Sequence, residues 1–140
     1  EQQYQMAGFV QRFYPASTIA ANDIGAVSFF SNGEVVDLWG LGSIDIAKSR
    51  KENYWTAAFI DSFVKKQNTT LAIIYDSWFH PSPGTFWTKI GTWQISNNVV
   101  CGDDLVSFYA VDAAAADELR KNFRWYSEHQ LPRTVMVKYY

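Results

Sequence analysis

The amino-acid sequence predicts an α/β domain with three layers, in which a mixed β-sheet is flanked by helices. Strand and helix patterns alternate along the first half, as is typical of parallel strands joined by crossover helices. The second half has two closely spaced strand patterns, a long helix and a closing strand, and it therefore favours antiparallel pairing. A chain of 140 residues suffices for a single domain that buries roughly two thirds of its unfolded surface.

The first half begins with a helix pattern over residues 2–14, where apolar residues recur at near-helical spacing before a proline. Residues 17–23 form a short strand pattern. Asp23 is placed to cap a short helix over residues 24–31, because an aspartate at that position accepts hydrogen bonds from the first amides of a helix. A second strand pattern, EVVDLW, follows at residues 34–39.

The middle of the chain combines an amphipathic helix with an apolar strand. Residues 51–66 place apolar side chains on one face, which predicts a helix of about four turns. The segment TTLAIIYD at residues 69–76 is nearly all apolar, as expected for a strand that helices cover on both faces. The segment PSPG at residues 81–84 then interrupts regular structure.

The last part of the chain completes the sheet. Its three strand patterns lie at residues 88–95, 105–112 and 134–140. Turn residues at 97–98 and 101–104 separate the first two strands and favour an antiparallel pair. Asp112 is placed to cap a long helix over residues 113–129.

The composition argues against several classes of function. The net charge is −2 and the basic residues are scattered apart from Lys48, Arg50 and Lys51, so we expect no nucleic-acid partner. The single cysteine, Cys101, forms no internal disulfide, and with two distant histidines it gives no zinc-ligand spacing. We expect no metal and no cofactor, although the acidic turn at residues 103–104 leaves weak calcium binding open.

A pattern of apolar residues, glycines and acids in the first half is similar to one known family. It comprises NDIGA at residues 22–26, Phe29 with Phe30, VVDL at residues 35–38, Gly40 with Leu41, and LAIIYD at residues 71–76. Over roughly residues 2–79 the sequence resembles the C-terminal soluble domain of bacterial multi-pass glycosyltransferases of the C-type superfamily. Those membrane proteins are mannosyl- or arabinosyltransferase-like and depend on polyprenyl-phosphate sugars. The second half carries no matching motif.

The resemblance implies a role beside a reaction rather than a reaction within this chain. In that family the soluble domain follows the last transmembrane helix on the extracytoplasmic, periplasmic face of the inner membrane, and the catalytic acid lies in an early loop between membrane helices. We therefore expect an excised soluble domain that is joined to the membrane through upstream transmembrane helices and holds no catalytic residue. The expected partner is a carbohydrate or a lipid-linked sugar.

Two acids in the resembling pattern, Asp23 and Asp37, are candidate ligand-binding residues. Both lie near the ends of predicted adjacent strands, so one interpretation is a carboxylate pair for general acid and base chemistry. The favoured interpretation is structural, with Asp23 capping a helix and Asp37 accepting hydrogen bonds from loop amides. The segment GLGSID at residues 40–45 is interpreted as turn glycines, because an acid replaces the third glycine of the dinucleotide fingerprint.

The aromatic segment YDSWFHPSPGTFWTKIGTW, residues 75–93, is the leading candidate for a binding surface. Its candidate ligand-binding residues are Trp78, Phe79, His80, Phe86, Trp87 and Trp93. Aromatic faces stack on sugar rings, and tryptophan also settles at bilayer interfaces. The alternative is that most of these rings fill the end of the core. If the segment is a surface, we expect Trp78 and Trp87 to make the main contacts.

Three functions remain open at this point. The sequence favours a non-catalytic extracytoplasmic domain that positions a glycan acceptor or a lipid-linked sugar donor. A free-standing α/β protein that binds a small ligand is the alternative. An enzyme ranks third, because His80 and His129 lie in different contexts and no serine occupies a nucleophile-elbow motif.

Overall fold

The computed structural model describes residues 2–96 and 101–140, which form one domain around a six-stranded sheet. The strands are β1 Ile19–Ala21, β2 Val35–Asp37, β3 Leu71–Ile74, β4 Thr88–Ile95, β5 Leu105–Ala110 and β6 Val135–Tyr139. The α-helices are α1 Gln2–Phe13, α2 Gly25–Phe30, α3 Ile44–Lys51, α4 Ala57–Lys66 and α5 Ala116–His129. Short 3₁₀ helices span Asp76–Trp78, Pro83–Phe86 and Ala113–Ala115.

The sheet is mixed, as the sequence predicts. Its strand order is β2-β1-β3-β5-β4-β6. β1 pairs in parallel with β2 and β3, whereas the pairs β3 with β5, β5 with β4 and β4 with β6 are antiparallel. The chain reaches each parallel neighbour through helices, because a parallel strand requires a crossover connection.

Helices cover both faces of the sheet and give the predicted three layers. Along β3, Leu71 and Ile73 belong to the core on one face, and Ala72 and Ile74 belong to the core on the other. The first core is closed by α1 and α5, and the second by α4. All four residues of β3 are buried, which explains the apolar run in that part of the sequence.

The helix predicted over residues 51–66 is wrong in its first turn. Lys51 ends α3, a helix that the sequence analysis did not predict, and α4 begins only at Ala57. Between them Asn53 takes a left-handed φ of 61°, and the Thr56 hydroxyl accepts a hydrogen bond from an amide in the first turn of α4. Aromatic residues in this turn continue the helical spacing, so periodicity alone concealed the break.

The two predicted aspartate caps have different outcomes. Asp112 is confirmed, since its Oδ1 accepts a hydrogen bond from the Ala114 amide at 3.0 Å where the helical segment leading into α5 begins. Asp23 as a cap is wrong: Ile24 occupies the N-cap of α2, which has no side-chain hydrogen bond. The Asp23 carboxylate instead accepts a hydrogen bond from the Gln3 side chain of α1.

The turn residues at 97–98 lie outside the described residues. In the described part of the chain, every helix is too short or too polar to cross a bilayer.

Candidate functional site

The aromatic segment at residues 75–93 is distributed over the whole domain rather than forming one surface. Trp93 lies in the first core, and Phe79 and Trp87 lie in the second. Trp78 is half-buried, and of the six candidate residues only His80 and Phe86 are exposed. The alternative in which most rings fill the core therefore holds for half of the six candidate residues.

Trp93 as a ligand-binding residue is wrong, because its side chain has no solvent exposure. Its ring stacks on Phe123 and Tyr126 of α5, with centroid separations of 5.4 and 5.6 Å. Its indole Nε1 donates a hydrogen bond to Ser127 Oγ at 2.9 Å. Trp93 is the point at which β4 is packed against α5.

Trp87 and Phe79 are also core residues, which corrects the expectation that Trp87 is a main contact. Trp87 is 7% exposed, and its Nε1 donates to Asp61 Oδ1 of α4 at 2.9 Å. Phe79 is buried and stacks on Trp55, with 5.2 Å between the ring centroids. These two rings attach the segment after β3 to α4 and to the turn before it.

Trp78 takes part in an aromatic cluster that the sequence analysis missed. Its ring centroid lies 4.6 Å from that of Trp39, which follows β2, and 5.6 Å from that of Tyr75, which follows β3. The guanidinium of Arg50 lies 3.9 Å from the Trp39 centroid. These rings pack after the carboxyl ends of the parallel strands, where α/β sheets often hold ligands. In this protein, the aromatic side chains of Trp39, Tyr75 and Trp78 occupy that position.

Asp37 is a structural residue, as the favoured interpretation predicts. Its Oδ1 accepts hydrogen bonds from the amides of Trp39 and Gly40 at 2.8 and 3.1 Å. Its Oδ2 accepts from the amides of Gly42 and Ser43 at 2.6 and 3.2 Å. The buried carboxylate thus holds the loop between β2 and α3, and the glycines of the GLGSID segment let the loop amides converge on it.

Asp23 and Asp37 do not act together in the structure. Asp23 is tied to α1 through Gln3, whereas Asp37 is tied to its own loop. The neighbouring Asn22 extends the sheet instead: its side chain accepts from the Tyr75 amide at 3.0 Å and donates to the Tyr75 carbonyl at 3.3 Å. The carboxylate-pair interpretation has no support from these contacts.

Asp76 is the centre of an extensive side-chain network. The sequence analysis included it in the LAIIYD pattern but not among the candidate site residues. Hydroxyl groups of Ser82, Ser107 and Tyr109 donate to its carboxylate at 2.6, 2.7 and 2.8 Å. Lys89 Nζ lies 3.3 Å from Oδ2. The partners come from the segment after β3, from β5 and from β4. Because these segments are far apart in the sequence, no local pattern predicts the network.

The environment of Asp76 favours its charged form. Burial alone raises the pKa of this carboxyl, but hydrogen bonds from Ser82, Ser107 and Tyr109 and the charge of Lys89 outweigh burial, so the pKa is lowered. Burial and the Asp76 charge together raise the pKa of Tyr109 above its ordinary value. Tyr109 therefore remains a neutral donor, and the pair fixes the segment after β3 on the sheet.

We expect Asp76→Asn to destabilise the domain at neutral pH and to remove part of its sensitivity to acid. A carboxyl whose pKa is lowered on folding contributes stability above its unfolded pKa of about 4, and this contribution disappears as the pH falls through the folded pKa. Urea unfolding at pH 7 and pH 3 measures it. The difference between wild type and variant should shrink at pH 3, and an equal difference at both pH values would contradict the assignment.

Phe86 lies at a cavity. The cavity has a volume of about 580 Å³, and its walls include Lys65, Asn68, Thr69, Thr70, Phe86 and Asp112. The Phe86 side chain is 51% exposed, so part of its ring is available to a ligand. The cavity lies beside the end of α4, the start of β3 and the end of β5.

The other walls of this cavity are polar and carry both donors and acceptors. Asn68 is exposed and takes a left-handed φ of 53°. Lys65 Nζ lies 2.9 Å from Asp61 Oδ1, and Asp112 uses Oδ1 for its cap. The Thr69 hydroxyl is buried and has no hydrogen-bond partner in the part of the chain that the structure describes. The cavity is suited to a small polar ligand with one apolar face.

Metal-binding residues are not clustered in the described ranges, which contain no group of three or more histidine, cysteine, aspartate or glutamate side chains able to hold an ion. In the turn considered for calcium, Asp103 accepts hydrogen bonds from the Ser77 hydroxyl and from the amides of Asp104 and Leu105. Those bonds occupy both carboxylate oxygens.

Comparison with known proteins places the chain in a family without placing it in a functional class. No curated protein and no solved structure matches the sequence significantly. One family model, described as a domain of unknown function, DUF8728, matches residues 1–109, which extend from α1 into β5. Because this match covers more than half of the chain, the protein belongs to the DUF8728 family.

Proposed function

We propose that this protein is a non-catalytic carbohydrate-binding domain and that the cavity beside Phe86 is its binding site. The observation that carries the proposal is the half-exposed aromatic ring of Phe86 on the wall of a cavity of about 580 Å³. Sugar rings have an apolar face that stacks on aromatic rings and hydroxyl groups that need donors and acceptors at the edge. The residues around Phe86 supply both types of group.

The polar walls suit a neutral sugar better than an ion. Lys65 is matched by Asp61, and Asp112 adds a carboxylate to the same cavity, so neither sign of charge dominates. Asn68 offers an amide donor and an amide acceptor on an exposed side chain. The volume lies within the range of about 300–1,000 Å³ that is usual for small-molecule sites.

The wider role that we propose is that of an extracytoplasmic accessory domain of a membrane glycosyltransferase-like protein. In that role the domain positions a glycan acceptor or a lipid-linked sugar donor. Support comes from the NDIGA and VVDL segments, whose sequences resemble those of such proteins. We expect the full reading frame of the gene to encode many apolar helices upstream of this domain. A short reading frame with a signal peptide would favour a free-standing binding protein instead.

We expect Phe86→Ala to weaken carbohydrate binding about fivefold, because a stacked aromatic ring contributes on the order of 1 kcal/mol. Titration calorimetry with mannose and arabinose oligosaccharides and with soluble polyprenyl-phosphate sugar analogues measures the effect. Asn68→Gly should also weaken binding, since it removes the amide while keeping the left-handed backbone accessible. Both variants should retain the fold.

Phe29→Ala is the matched control for the stacking experiment. Phe29 is 81% exposed on α2 and does not line the cavity, so its loss removes an exposed aromatic ring without changing the proposed site. We expect its affinity to equal that of the wild type. Binding that survives in Phe86→Ala and Asn68→Gly, or that falls equally in Phe29→Ala, would refute the location of the site.

A further inference from the structure

Strands β4 and β6 carry polar side chains on the face of the sheet that also holds α4. Trp93 and Phe108 belong to the first core, so their strand neighbours Thr92 and Ser107 lie on the opposite face. Thr92 pairs with Ser107 on β5 and with Lys138 on β6. A groove of about 270 Å³ runs across these strands, and its walls include Lys89, Thr92, Gln94, Met136, Lys138 and Tyr140.

Two ammonium groups border the same aromatic ring in this groove. Lys89 Nζ lies 5.1 Å from the centroid of the Tyr140 ring, and Lys138 Nζ lies 4.7 Å from it. Both lysines therefore line the groove next to Tyr140. Their backbones belong to adjacent antiparallel strands, which hold the lysine stems on a rigid support.

The positive charge of the groove is only partly neutralised. Lys89 is paired with Asp76, whose carboxylate also accepts hydrogen bonds from Ser107 and Tyr109. Among the described residues, no carboxylate lies within ion-pair distance of Lys138 Nζ. Asp104 lies beyond Gln94 and accepts a hydrogen bond from its amide at 2.9 Å. The groove is thus lined by Lys89, which pairs with a carboxylate, and by Lys138, for which the described residues provide no carboxylate partner.

We propose that this groove binds the phosphoryl group of a small phosphate monoester between Lys89 and Lys138. Lysine binds phosphate as a compact point charge with several donors, whereas a planar carboxylate is better matched by the fork of an arginine. Thr92 and Gln94 also line the groove, and their hydroxyl and amide groups suit the polar body of the ester. The small volume favours a compact ligand over an extended chain.

The site is separate from the cavity at Phe86 and does not depend on the carbohydrate proposal. The two sets of wall residues share no member. Loss of binding in the groove with intact binding at Phe86, or the reverse, therefore identifies which of the two proposals fails.

The test uses calorimetry at low salt with glucose 6-phosphate, and with glucose and inorganic phosphate as the comparison ligands. We expect glucose 6-phosphate to bind and glucose to show no binding in the groove. Lys138→Gln should weaken binding of the ester roughly tenfold, because it removes a charge-assisted contact. Lys121→Gln, which changes an exposed lysine on α5 at the opposite face, should leave the affinity unchanged.

Lys89→Gln is a second variant, with its unfolding followed in parallel because Lys89 also pairs with Asp76. Vesicles containing phosphatidic acid distinguish a lipid phosphate from a soluble ester: binding to vesicles that is lost in Lys138→Gln supports the same phosphoryl site with a lipid as its source. Equal weakening in Lys121→Gln, or an affinity for the ester and the vesicles that Lys138→Gln does not change, would overturn the proposal.

Discussion

Replacing Trp93 with alanine is expected to lower the free energy of unfolding by roughly 3–5 kcal/mol, the usual range for emptying an aromatic core site. Trp93 has no solvent exposure and contacts Phe9, Phe108, Phe123 and Tyr126 through its ring. The substitution removes these contacts together with the hydrogen bond from Nε1. Denaturant unfolding followed by far-ultraviolet circular dichroism measures the loss.

Trp125→Ala provides the comparison for this experiment. Trp125 is half-buried on α5, where its ring stacks on His129 with 4.7 Å between centroids and lies under Arg12. Because this ring packs at the margin of the core, its removal should destabilise the domain by clearly less than the removal of Trp93. An equal loss in both variants would show that Trp93 does not have the central role assigned to it.

Asp37→Ala is expected to destabilise the domain by about 2–4 kcal/mol, because it leaves backbone amides without their acceptor. Four amides between residues 39 and 43 donate to the two carboxylate oxygens. Asp37→Asn should be nearly as unfavourable, since one oxygen is replaced by an amino group that faces amide donors. Urea unfolding of both variants measures the effect, and the ligand affinity at Phe86 should be unchanged.

Asp45→Ala is the control that separates the role of the Asp37 carboxylate from a general effect of removing a negative charge. Asp45 is exposed in the first turn of α3, close in sequence to the same loop, where a carboxylate interacts favourably with the helix dipole. We expect a loss below about 1 kcal/mol. If Asp37→Asn retains wild-type stability, the carboxylate is not what holds the loop, and its place in a ligand site would need to be reconsidered.

The periodic parts of the fold could be predicted because they depend on local patterns. The apolar run at residues 71–74 corresponds to a strand covered on both faces, and the helical spacing after Asp112 corresponds to α5. The pattern at residues 51–66 predicted the wrong start for the helix. The chain turns at Asn53, although the residues around that turn keep the apolar spacing of a helix. A left-handed residue changes the direction of the chain without changing its hydrophobic pattern.

The candidate site could be predicted less well than the fold. The sequence identified Phe86 within an aromatic-rich segment, but the same reasoning selected Trp87 and Trp93, which are buried. In the sequence, an aromatic residue that fills the core cannot be told from one that contacts a ligand. The exposed fraction of the side chain in the structure distinguishes these two roles. The network of Asp76 could not be predicted from the sequence either, because the partners of this carboxylate come from three separate parts of the chain.

By itself the sequence determined the elements that local physics controls: the strands, the long helix capped near Asp112, and the mixed α/β architecture that their order implies. Only the tertiary structure decided which side chains meet. Trp78 contacts Trp39, and Lys89 approaches Tyr140, because strand order and register bring distant segments together. Such contacts depend on positions far apart in the chain, and no local pattern encodes the distance between them.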